Sequence, residues 1–532
     1  MEKTPEITDV CVIGSGAGGG VIAKELGEKG MKVVLLEAGR RFEPLQDYTA
    51  PASPDFETHS AEDHTQFIVP ELQKVSFTNT NTYRPVEAHG VGGSTLRYLA
   101  YALRMLPSAF KIYSLDGVGT DWPISYEDLA PYYRKVELEL GVSGIAGDPW
   151  SPPIEPYLNP PFQYSYSNKI LKRGFDKLGL NLWPCPMARL SKPFEGRPKC
   201  VQCGKCEDGC LTKAKSSTDV TYIVKAEATG RVIVLPNSIA THIRTNSEGK
   251  PTGVVYFDRN GIEHEQKARI IVISGGAVQS PRLLLNSTST KHPQGLGNSS
   301  GLIGKFFQQH HGADTVAIFP DRIDSYRGFN GGAISKDFAE TSPRHSFARG
   351  WIFELYSGPR YPIETALSTN RWGASLKDYM STVFGHTAAL SAVAEQIPYE
   401  SNSVLLDPVI KDALGMPIPR ITIQPSNNDN LMVSEIKKKM VEIMEAAGAT
   451  QITFEKSWYG SSAHNYGTCR MGNDPQKSVV NSFCQSHEIP NLFVVDSSCF
   501  VTNGVANPSL TIHAIAVRAS DYIYEETRKM NL

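Results

Sequence analysis

Short apolar runs separated by glycine-rich turns open the chain and predict a β-α-β unit. Residues 8–13 form a β-branched run of the kind that parallel sheets bury, and residues 32–36 form a second. Between them, residues 21–28 have the apolar spacing of a helix. Three later runs share the strand pattern: 231–244, 252–257 and 270–273. The pattern therefore predicts an α/β domain near the N-terminus.

The turn after the first predicted strand has the spacing of a dinucleotide-binding loop. Gly14, Gly16 and Gly19 match G-x-G-x-x-G, with Ala17 inside the loop. Such glycines permit a tight turn, close approach of the backbone to a pyrophosphate, and packing of the helix on the strand. Glu37 lies about 20 residues beyond the first glycine, where an acidic residue binds a ribose hydroxyl. The acid disfavours NADP, and the motif leaves NAD and FAD open.

The composition of the 532 residues is that of a large soluble enzyme with more than one domain. The formal net charge of −2 provides no global field that would attract nucleic acid. The N-terminal residues lack the apolar core of a signal peptide, and no run of about 18 apolar residues is present. We therefore predict a cytoplasmic protein without a membrane span, exported only if a partner subunit carries it.

Several later segments resemble, in the right order, signatures of the glucose–methanol–choline (GMC) family of FAD-dependent oxidoreductases. They are 90–95, 121–133, 276–287, 464–472, 491–496 and 507–511. The resemblance spans most of the chain and implies an enzyme that oxidises an alcohol with bound FAD. Within the family, the sequence is most similar to bacterial sugar and polyol dehydrogenases, whose catalytic subunits carry an iron–sulfur cluster.

The resemblance also implies the fold and the domain organisation. We expect an α/β fold (α+β overall) with a discontinuous Rossmann-like FAD-binding domain and a second, substrate-binding domain built on a sheet. The FAD-binding domain is assigned to residues 1–110, 196–310 and 455–532. The substrate-binding domain is assigned to residues 111–195 and 311–454.

Further cofactor contacts are implied by matching the family motifs to this sequence. They are Gly92, Gly93, Ser94, Gly276, Asp496 and Asn507, in addition to the N-terminal unit. Arg97 stands where some relatives carry a histidine that is bonded covalently to the flavin. With no imidazole at this position, the FAD is expected to be non-covalently bound.

Oxidation of an alcohol requires a base for the hydroxyl proton while the hydride leaves for flavin N5. A histidine suits this task because it titrates near neutrality, and the resemblance gives the role to His464. Asn507 occupies the partner position, where its amide is expected to hydrogen-bond the substrate oxygen. His310, His311 and His513 are interpreted as structural.

Four closely spaced cysteines suggest a second redox centre: Cys200, Cys203, Cys206 and Cys210. Their spacing is that of a bacterial ferredoxin run, although Leu211 replaces the proline that follows there. A three-iron cluster, a four-iron cluster, a structural zinc, and disulfides or free thiols all remain open. A cluster would pass electrons from the flavin to a cytochrome or another electron-accepting subunit.

The substrate and the electron acceptor are less well defined by the sequence. The resemblance favours a sugar or glycoside hydroxyl, and five aromatic residues are candidates for a stacking platform: Trp351, Phe353, Tyr356, Trp372 and Phe384. An electron-accepting subunit and a small accessory subunit are the expected protein partners. The alternatives are an oxidase that uses oxygen, with purely structural cysteines, and a non-catalytic flavoprotein that keeps the fold as a binding module.

Overall fold

A computed structural model describes residues 5–48, 68–78, 84–328, 331–356, 362–367, 369–454 and 461–532. The α-helices within these ranges are, in chain order, α1 (Gly19–Glu28), α2 (Pro44–Asp47), α3 (Pro70–Gln73), α4 (Ile112–Asp116), α5 (Tyr126–Leu140), α6 (Tyr166–Lys177), α7 (Val224–Ala228), α8 (Gly276–Asn286), α9 (Pro362–Leu367), α10 (Gly373–Val383), α11 (Asn427–Ala447) and α12 (Ser509–Arg528).

The strands within the same ranges are β1 (Ile7–Ile13), β2 (Val33–Leu36), β3 (Ser76–Phe77), β4 (Arg84–Pro85), β5 (Trp183–Pro184), β6 (Val232–Leu235), β7 (Ile239–Thr245), β8 (Pro251–Phe257), β9 (Glu263–Ile273), β10 (Gln308–Gln309), β11 (His311–Ile318), β12 (Ala333–Ser335), β13 (Trp351–Tyr356), β14 (Thr387–Ala394), β15 (Ser403–Lys411), β16 (Pro417–Thr422), β17 (Gln451–Phe454), β18 (Ser461–Ser462), β19 (Asn465–Tyr466) and β20 (Leu492–Val494).

A seven-stranded sheet runs in the order β6-β2-β1-β9-β8-β7, with β20 beside β9. Strands β6, β2, β1, β9 and β20 are parallel, and β1 is buried along most of its length. Parallel strands covered on both faces read as continuous apolar runs, which is why they were visible in the sequence. The carboxyl ends of β1, β2 and β20 lead directly to Gly14, Glu37 and Asp496 at one edge, where open α/β sheets bind ligands.

The predicted strand at 231–244 is two strands in the structure. β6 continues the parallel part of the sheet beside β2, whereas β7 pairs antiparallel with β8. Between them Asn237 has a φ of +54°, a left-handed conformation that asparagine tolerates better than most residues. The prediction of one strand overlooked Pro236, Asn237 and Ser238, which are residues that favour turns.

A second sheet is antiparallel and has the order β17-β11-β14-β13-β12-β5. One face of it packs against α11 and α6 through a separate apolar core. Helix α11 begins at Ser426, which forms a capping box with Asp429. Its buried residues follow helical spacing: Met432, Ile436, Met440, Ile443, Met444 and Ala447. The opposite face of this sheet is therefore available to the site described below.

These elements confirm the predicted fold class, a mixed helix and sheet architecture with a doubly covered parallel sheet and a second sheet. A small third sheet pairs β15 and β16 with β3, and β15 and β16 pack on α8. Residues 403–422, assigned to the substrate-binding domain, thus pack on two elements assigned to the FAD-binding domain. The position of the domain boundary stays a prediction. Within the described ranges, no helix combines the length and apolarity needed to cross a membrane.

Candidate active site

A cavity of about 780 Å³ lies at the carboxyl edge of the seven-stranded sheet. It is lined by the β1–α1 loop and the start of α8, and it extends to Asp314 and Tyr356 of the second sheet. Cavities of several hundred cubic ångströms are in the size range of cofactor and ligand sites. The cavity therefore joins the two sheets, with one end built mainly from loops and the other from side chains.

The first glycine loop is held tightly against its own sheet. Gly14 has a φ of +94°, and a Cβ at this position would lie 2.4 Å from the Ser274 backbone oxygen. A Cβ on Gly18 would lie 2.0 Å from the Val495 backbone oxygen. Both oxygens belong to the backbone, which cannot move aside as a flexible side chain would. Packing therefore requires glycine at both positions, and at Gly14 the positive φ requires it as well.

The predicted glycines differ in whether they face the cavity. Gly16 and Ala17 line it, and a Cβ on Gly16 would have Gly93 Cα as its nearest neighbour, 3.7 Å away. Gly19 is outside the lining and packs α1 on β1, because a Cβ there would lie 1.9 Å from the Gly14 oxygen. Helix α1 starts beside this space with no side-chain cap and no acidic residue in its first turn. Its N-terminus suits the phosphate of a ligand.

Glu37 ties the two glycine-rich loops together at the cavity wall. Its Oε2 accepts hydrogen bonds from the Ser15 backbone N and Oγ at 3.0 and 2.7 Å. Its Oε1 accepts from the backbone N of Gly39 and Gly90 at 2.9 and 3.0 Å. Burial raises the pKa of this carboxyl, and the four donors oppose that rise. The structure adds this positioning role to the predicted contact with a ribose.

The second glycine-rich loop packs directly on the first. Gly93 has a φ of +53°, and a Cβ on it would lie 2.7 Å from Gly16 Cα. The backbone N of Gly92 donates to Ser15 Oγ at 2.9 Å. Gly93 and Ser94 line the cavity, whereas Gly92 is not among the described lining residues. Gly92 therefore shapes the turn that brings its neighbours to the cavity.

Asp496 and Gly276 meet at the same edge of the sheet. The Asp496 Oδ2 accepts from the Gly276 backbone N at 2.9 Å and from Ser280 Oγ. Its Oδ1 accepts from the Ser498 backbone N at 2.7 Å. Asp496 and Gly276 both line the cavity, and burial raises the pKa of the Asp496 carboxyl. Asp496 thus fixes the start of α8 against the end of β20.

The donor set of this end fits a dinucleotide. It combines an uncapped helix N-terminus, close backbone turns without side chains, and buried acids at the ends of two parallel strands. Of the predicted cofactor contacts, nine line the cavity: Gly14, Gly16, Ala17, Glu37, Gly93, Ser94, Gly276, Asp496 and Asn507. Arg97 lines it as well, at the position where a covalent histidine was excluded.

His464 lines the other end of the cavity beside a second histidine. The Nδ1 atoms of His464 and His310 are 3.0 Å apart, and His310 Nε2 lies 2.9 Å from the Gly504 backbone oxygen. Burial lowers the pKa of His464 to about 4 and that of His310 well below its ordinary value, so both rings are neutral near pH 7.

The hydrogen bonds of this histidine pair favour one tautomer for each ring, and the Tyr466 hydroxyl, 3.4 Å from His310 Nδ1, also suits an acceptor at that nitrogen. A carbonyl oxygen only accepts, so His310 carries its proton on Nε2 and accepts at Nδ1. The proton between the two Nδ1 atoms then belongs to His464. The Nε2 of His464 is therefore unprotonated, as a base requires. His310, which the sequence interpretation treated as purely structural, sets the state of the predicted base.

Asn507 lines the cavity and is oriented by an acid from the second sheet. Its amide donates to the Glu354 carboxyl, and the Tyr356 hydroxyl donates to Glu354 Oε2 at 3.3 Å. The Asn507 Oδ1 is buried and has no partner among the described residues. Burial raises the pKa of Glu354 to about 7. Asn507 therefore offers an acceptor to a ligand in the cavity.

The four clustered cysteines line a small second cavity, together with Arg189 and Lys215. The sulfur of Cys206 accepts from Arg189 Nη1 at 3.3 Å, and that of Cys210 accepts from the Lys215 backbone N at 3.4 Å. Each of these cysteines is a free thiol in the structure. Within the described ranges, no group of three or more His, Cys, Asp or Glu side chains is arranged to hold a metal ion.

Two profiles described as GMC oxidoreductase match residues 67–312 and 398–516. The chain belongs to the GMC oxidoreductase family. Among curated relatives, 2-methyl-1,2-propanediol dehydrogenase of Mycolicibacterium austroafricanum is 34% identical, over 98% of this chain and 96% of the relative. The fructose dehydrogenase large subunit of Gluconobacter japonicus is 28% identical, over 98% of each chain.

Other similar proteins of the GMC oxidoreductase family are oxidases. The 6'''-hydroxyparomomycin C oxidase of Streptomyces lividus is 28% identical, over 97% of this chain and 91% of the relative. A solved structure of Aspergillus oryzae formate oxidase superposes with a TM-score of 0.66 at 13% identity, over 98% of this chain and 99% of the other. At that identity, the structural match supports the fold alone.

Membership of the GMC oxidoreductase family confirms the predicted family and supports FAD as the cofactor, which the cavity residues fit. The iron–sulfur cluster has no such support, because neither the comparisons nor the described geometry identifies one. It stays a prediction. The comparisons also include both dehydrogenases and oxidases, so the electron acceptor stays open.

The five candidate aromatic residues could form a stacking platform or equally belong to the core, and the structure separates them. Trp351 and Phe353 are fully buried in the core under the second sheet. Trp372 is 84% exposed, and Phe384 stacks on Tyr326. Of the five aromatic residues, Tyr356 lines the cavity. Alternation along β13 explains the difference, since Trp351, Phe353 and Leu355 face the helices while Glu354 and Tyr356 face the site.

Proposed function

We propose that this GMC oxidoreductase oxidises a CH–OH group of a polyol or a sugar, with His464 as the base. The relatives named above for a diol, for fructose and for an aminoglycoside support this substrate class. The observation that carries the proposal is the His310–His464 pair at a cavity that fits FAD, because its hydrogen bonds favour an unprotonated Nε2 on His464.

The residues of the site divide the proton chemistry between them. Bound FAD supplies the acceptor for the hydride of the carbinol carbon. His464 Nε2 takes the hydroxyl proton, and His310 holds the ring of His464 in the competent tautomer. Asn507 Oδ1 accepts a hydrogen bond from the substrate and so orients it. Arg97 lines the cavity at the position where some relatives carry a histidine bonded to the flavin, which supports non-covalent binding of the cofactor.

We propose that the four clustered cysteines hold an iron–sulfur cluster, which would accept electrons from the reduced flavin and pass them to an external acceptor. The four thiols line one cavity, and N–H donors reach three of the sulfurs, as hydrogen bonds do in iron–sulfur sites. The side chain of Lys215 donates to the backbone oxygens of Leu96 and Cys206, which links the cysteine segment to the flavin loop. Glu207, next to Cys206, lines the FAD cavity itself. An electron-accepting subunit would complete the route.

The experiment for the proposed reaction is anaerobic mixing of the FAD-loaded protein with 2-methyl-1,2-propanediol, fructose and 6'''-hydroxyparomomycin C, after the relatives named above. Loss of flavin absorbance with at least one of them is the expected result. If dithionite reduces the flavin but no polyol or sugar does, the proposal fails and a non-catalytic flavoprotein is favoured. Hydrogen peroxide formed in air at the rate of turnover would identify an oxidase instead of a dehydrogenase.

The experiment for the cysteines is separate from the test of the reaction. Iron and acid-labile sulfide are measured in protein purified without oxygen, beside Cys206→Ser and, as a matched control, Cys185→Ser at a buried thiol outside the small cavity. We expect iron and sulfide in the native protein and in Cys185→Ser, and their loss in Cys206→Ser. Iron-free native protein that still reduces its flavin would end the cluster proposal and leave the alcohol oxidation standing.

A further inference from the structure

Three polar residues lie side by side on the face of the second sheet that meets the cavity. Asp314 of β11 pairs with Ser391 of β14, and Ser391 pairs with Glu354 of β13. Directly paired residues on neighbouring strands stand on the same face, so this register forms a row across three strands. Asp314 lines the cavity, and Glu354 hydrogen-bonds Asn507. The row therefore continues from the reacting pair into the substrate space.

Unpartnered polar atoms accompany this row, independently of its charge. The Tyr101 hydroxyl lines the cavity, is 3% exposed as a residue, and has no partner among the described residues. Burial raises the pKa of Tyr101, and the nearby Glu354 and Tyr356 raise it further. One carboxyl oxygen of Glu354 and the hydroxyl of Ser391 also lack a described partner. Buried polar groups are normally hydrogen-bonded. Glu354 and Ser391 are not among the lining residues, so it is the Tyr101 hydroxyl that points to a ligand able to supply a missing bond.

The charge near the row is mainly negative. Glu207 lines the cavity. Burial raises the pKa of Tyr356, and the nearby acids Glu354, Glu207 and Asp314 raise it further by electrostatic repulsion. Arg97 is the lining cation on this side among the residues that the structure describes, and Glu207 and Asp208 lie close enough to offset it. A ligand group that donates hydrogen bonds is stabilised here, whereas a carboxylate on the ligand is repelled by the carboxylates of the protein.

We propose that Asp314 and the Tyr101 hydroxyl, with the buried Glu354 behind them, form a subsite for substrate groups that donate hydrogen bonds, namely further hydroxyls or an ammonium group. The inference rests on the proposed function and names its substrate class. Neutral polyols and amino alcohols are favoured, and alcohols that carry a carboxylate near the reacting carbon are disfavoured. Tyr101 is the neutral partner of this subsite, able to accept from a donor or to donate to a substrate oxygen.

The experiment compares three probes that differ in one substituent: propane-1,2-diol, 3-aminopropane-1,2-diol and glycerate. The limiting rate and half-saturation of anaerobic flavin reduction are measured for the native holoenzyme, for Asp314→Asn and for Asp321→Asn. Asp321 is an acid of the same lobe, half-exposed and paired with Arg173 at 3.2 Å, and so serves as the matched control. In the native enzyme, we expect the ratio of limiting rate to half-saturation to be at least about tenfold lower for glycerate than for the diol. A factor of about ten corresponds to one charge-assisted hydrogen bond or one repulsion of like charges.

In Asp314→Asn, the preference for the amino probe over glycerate should fall about tenfold or more, while the neutral diol changes less and Asp321→Asn behaves as native. Glycerate equal to the diol in native enzyme, or an unchanged preference in Asp314→Asn, would overturn the subsite. If Asp314→Asn does not fold, Tyr101→Phe is the variant to test. We expect it to raise the half-saturation several-fold for both the diol and the amino probe. If none of the three probes reduces the flavin but an alcohol of the earlier experiment does, dissociation constants from flavin absorbance shifts make the same comparison of probes. If none of the alcohols in either experiment reduces the flavin, it is the proposed function that fails.

Discussion

The two ends of the cavity are built in different ways. The end beside Gly14, Glu37 and Asp496 is formed by loops at the ends of parallel strands, and its contacts are largely backbone. The end beside His464 and Asn507 is formed by side chains that reach the cavity from separate elements. The cofactor end therefore depends on local chain geometry, whereas the substrate end depends on the register between distant strands.

Alanine substitutions at two glycines of the first loop should separate folding from cofactor binding. In Gly18→Ala, the new Cβ would lie 2.0 Å from the Val495 backbone oxygen, so we expect loss of folded flavoprotein through overpacking of about 1–3 kcal/mol or more. In Gly16→Ala, the nearest atom is 3.7 Å away, and the methyl group instead occupies space at the cavity surface. We expect folded protein with little bound FAD.

Melting temperature of the apoprotein and flavin content per chain are the measurements for this pair. Native melting together with full flavin content in Gly18→Ala would contradict the packing role given to that residue. Equal loss of folding in both variants would show that the two positions do not differ as the structure implies.

Replacing His310 tests the substrate end. His310→Leu removes the acceptor of the His464 Nδ1 proton and frees the ring to adopt the wrong tautomer. We expect the limiting rate of flavin reduction to fall about tenfold to one hundredfold, with half-saturation by the alcohol little changed. His310→Gln keeps an acceptor and should recover part of the rate. A loss confined to half-saturation, or equal loss in both variants, would assign His310 to packing alone.

The pH dependence sharpens the same end with a smaller effect. Burial lowers the pKa of His464 to about 4, so the base stays neutral from pH 7 down to about 5 and is lost only as pH falls through about 4. Burial raises the pKa of Glu354 to about 7, so this acid becomes charged as pH rises through about 7 and then accepts more strongly from Asn507.

The limiting rate of flavin reduction, measured from pH 5 to 8, should therefore show no inflection near 6.5, the ordinary pKa of a histidine. Half-saturation by a polyol should improve several-fold as pH rises through about 7, and Glu354→Gln should remove that change. An inflection near 6.5 that disappears in His464 variants would contradict the burial argument.

The contrast between the two ends also explains how far the sequence could predict the molecule. The glycine loop, Glu37 and Asp496 were identifiable because spacing along the chain determines where they fall relative to strand ends. Glu354 could not be found in this way, since its place beside Asp314 and Asn507 follows from strand pairing across three segments. Likewise, burial of Trp351 depended on which face of β13 meets the helices.

His310 shows a second limit of prediction from sequence. It was interpreted as structural, but its effect on His464 depends on a hydrogen bond to the Gly504 carbonyl, far away in the chain. A doublet of histidines before an apolar strand gives no sign of which ring nitrogen will be protonated. The predicted cysteine cluster has a related difficulty, because spacing alone does not establish what four thiols hold.

The most direct test of the account is the anaerobic rate of flavin reduction by a reactive polyol in His464→Ala, relative to the native protein at pH 7. With FAD content and alcohol binding retained, we predict a fall of about 10²- to 10⁴-fold, the usual worth of a positioned general base. A rate equal to that of the native enzyme would contradict the assignment of His464 and, with it, the role given to the His310–His464 pair.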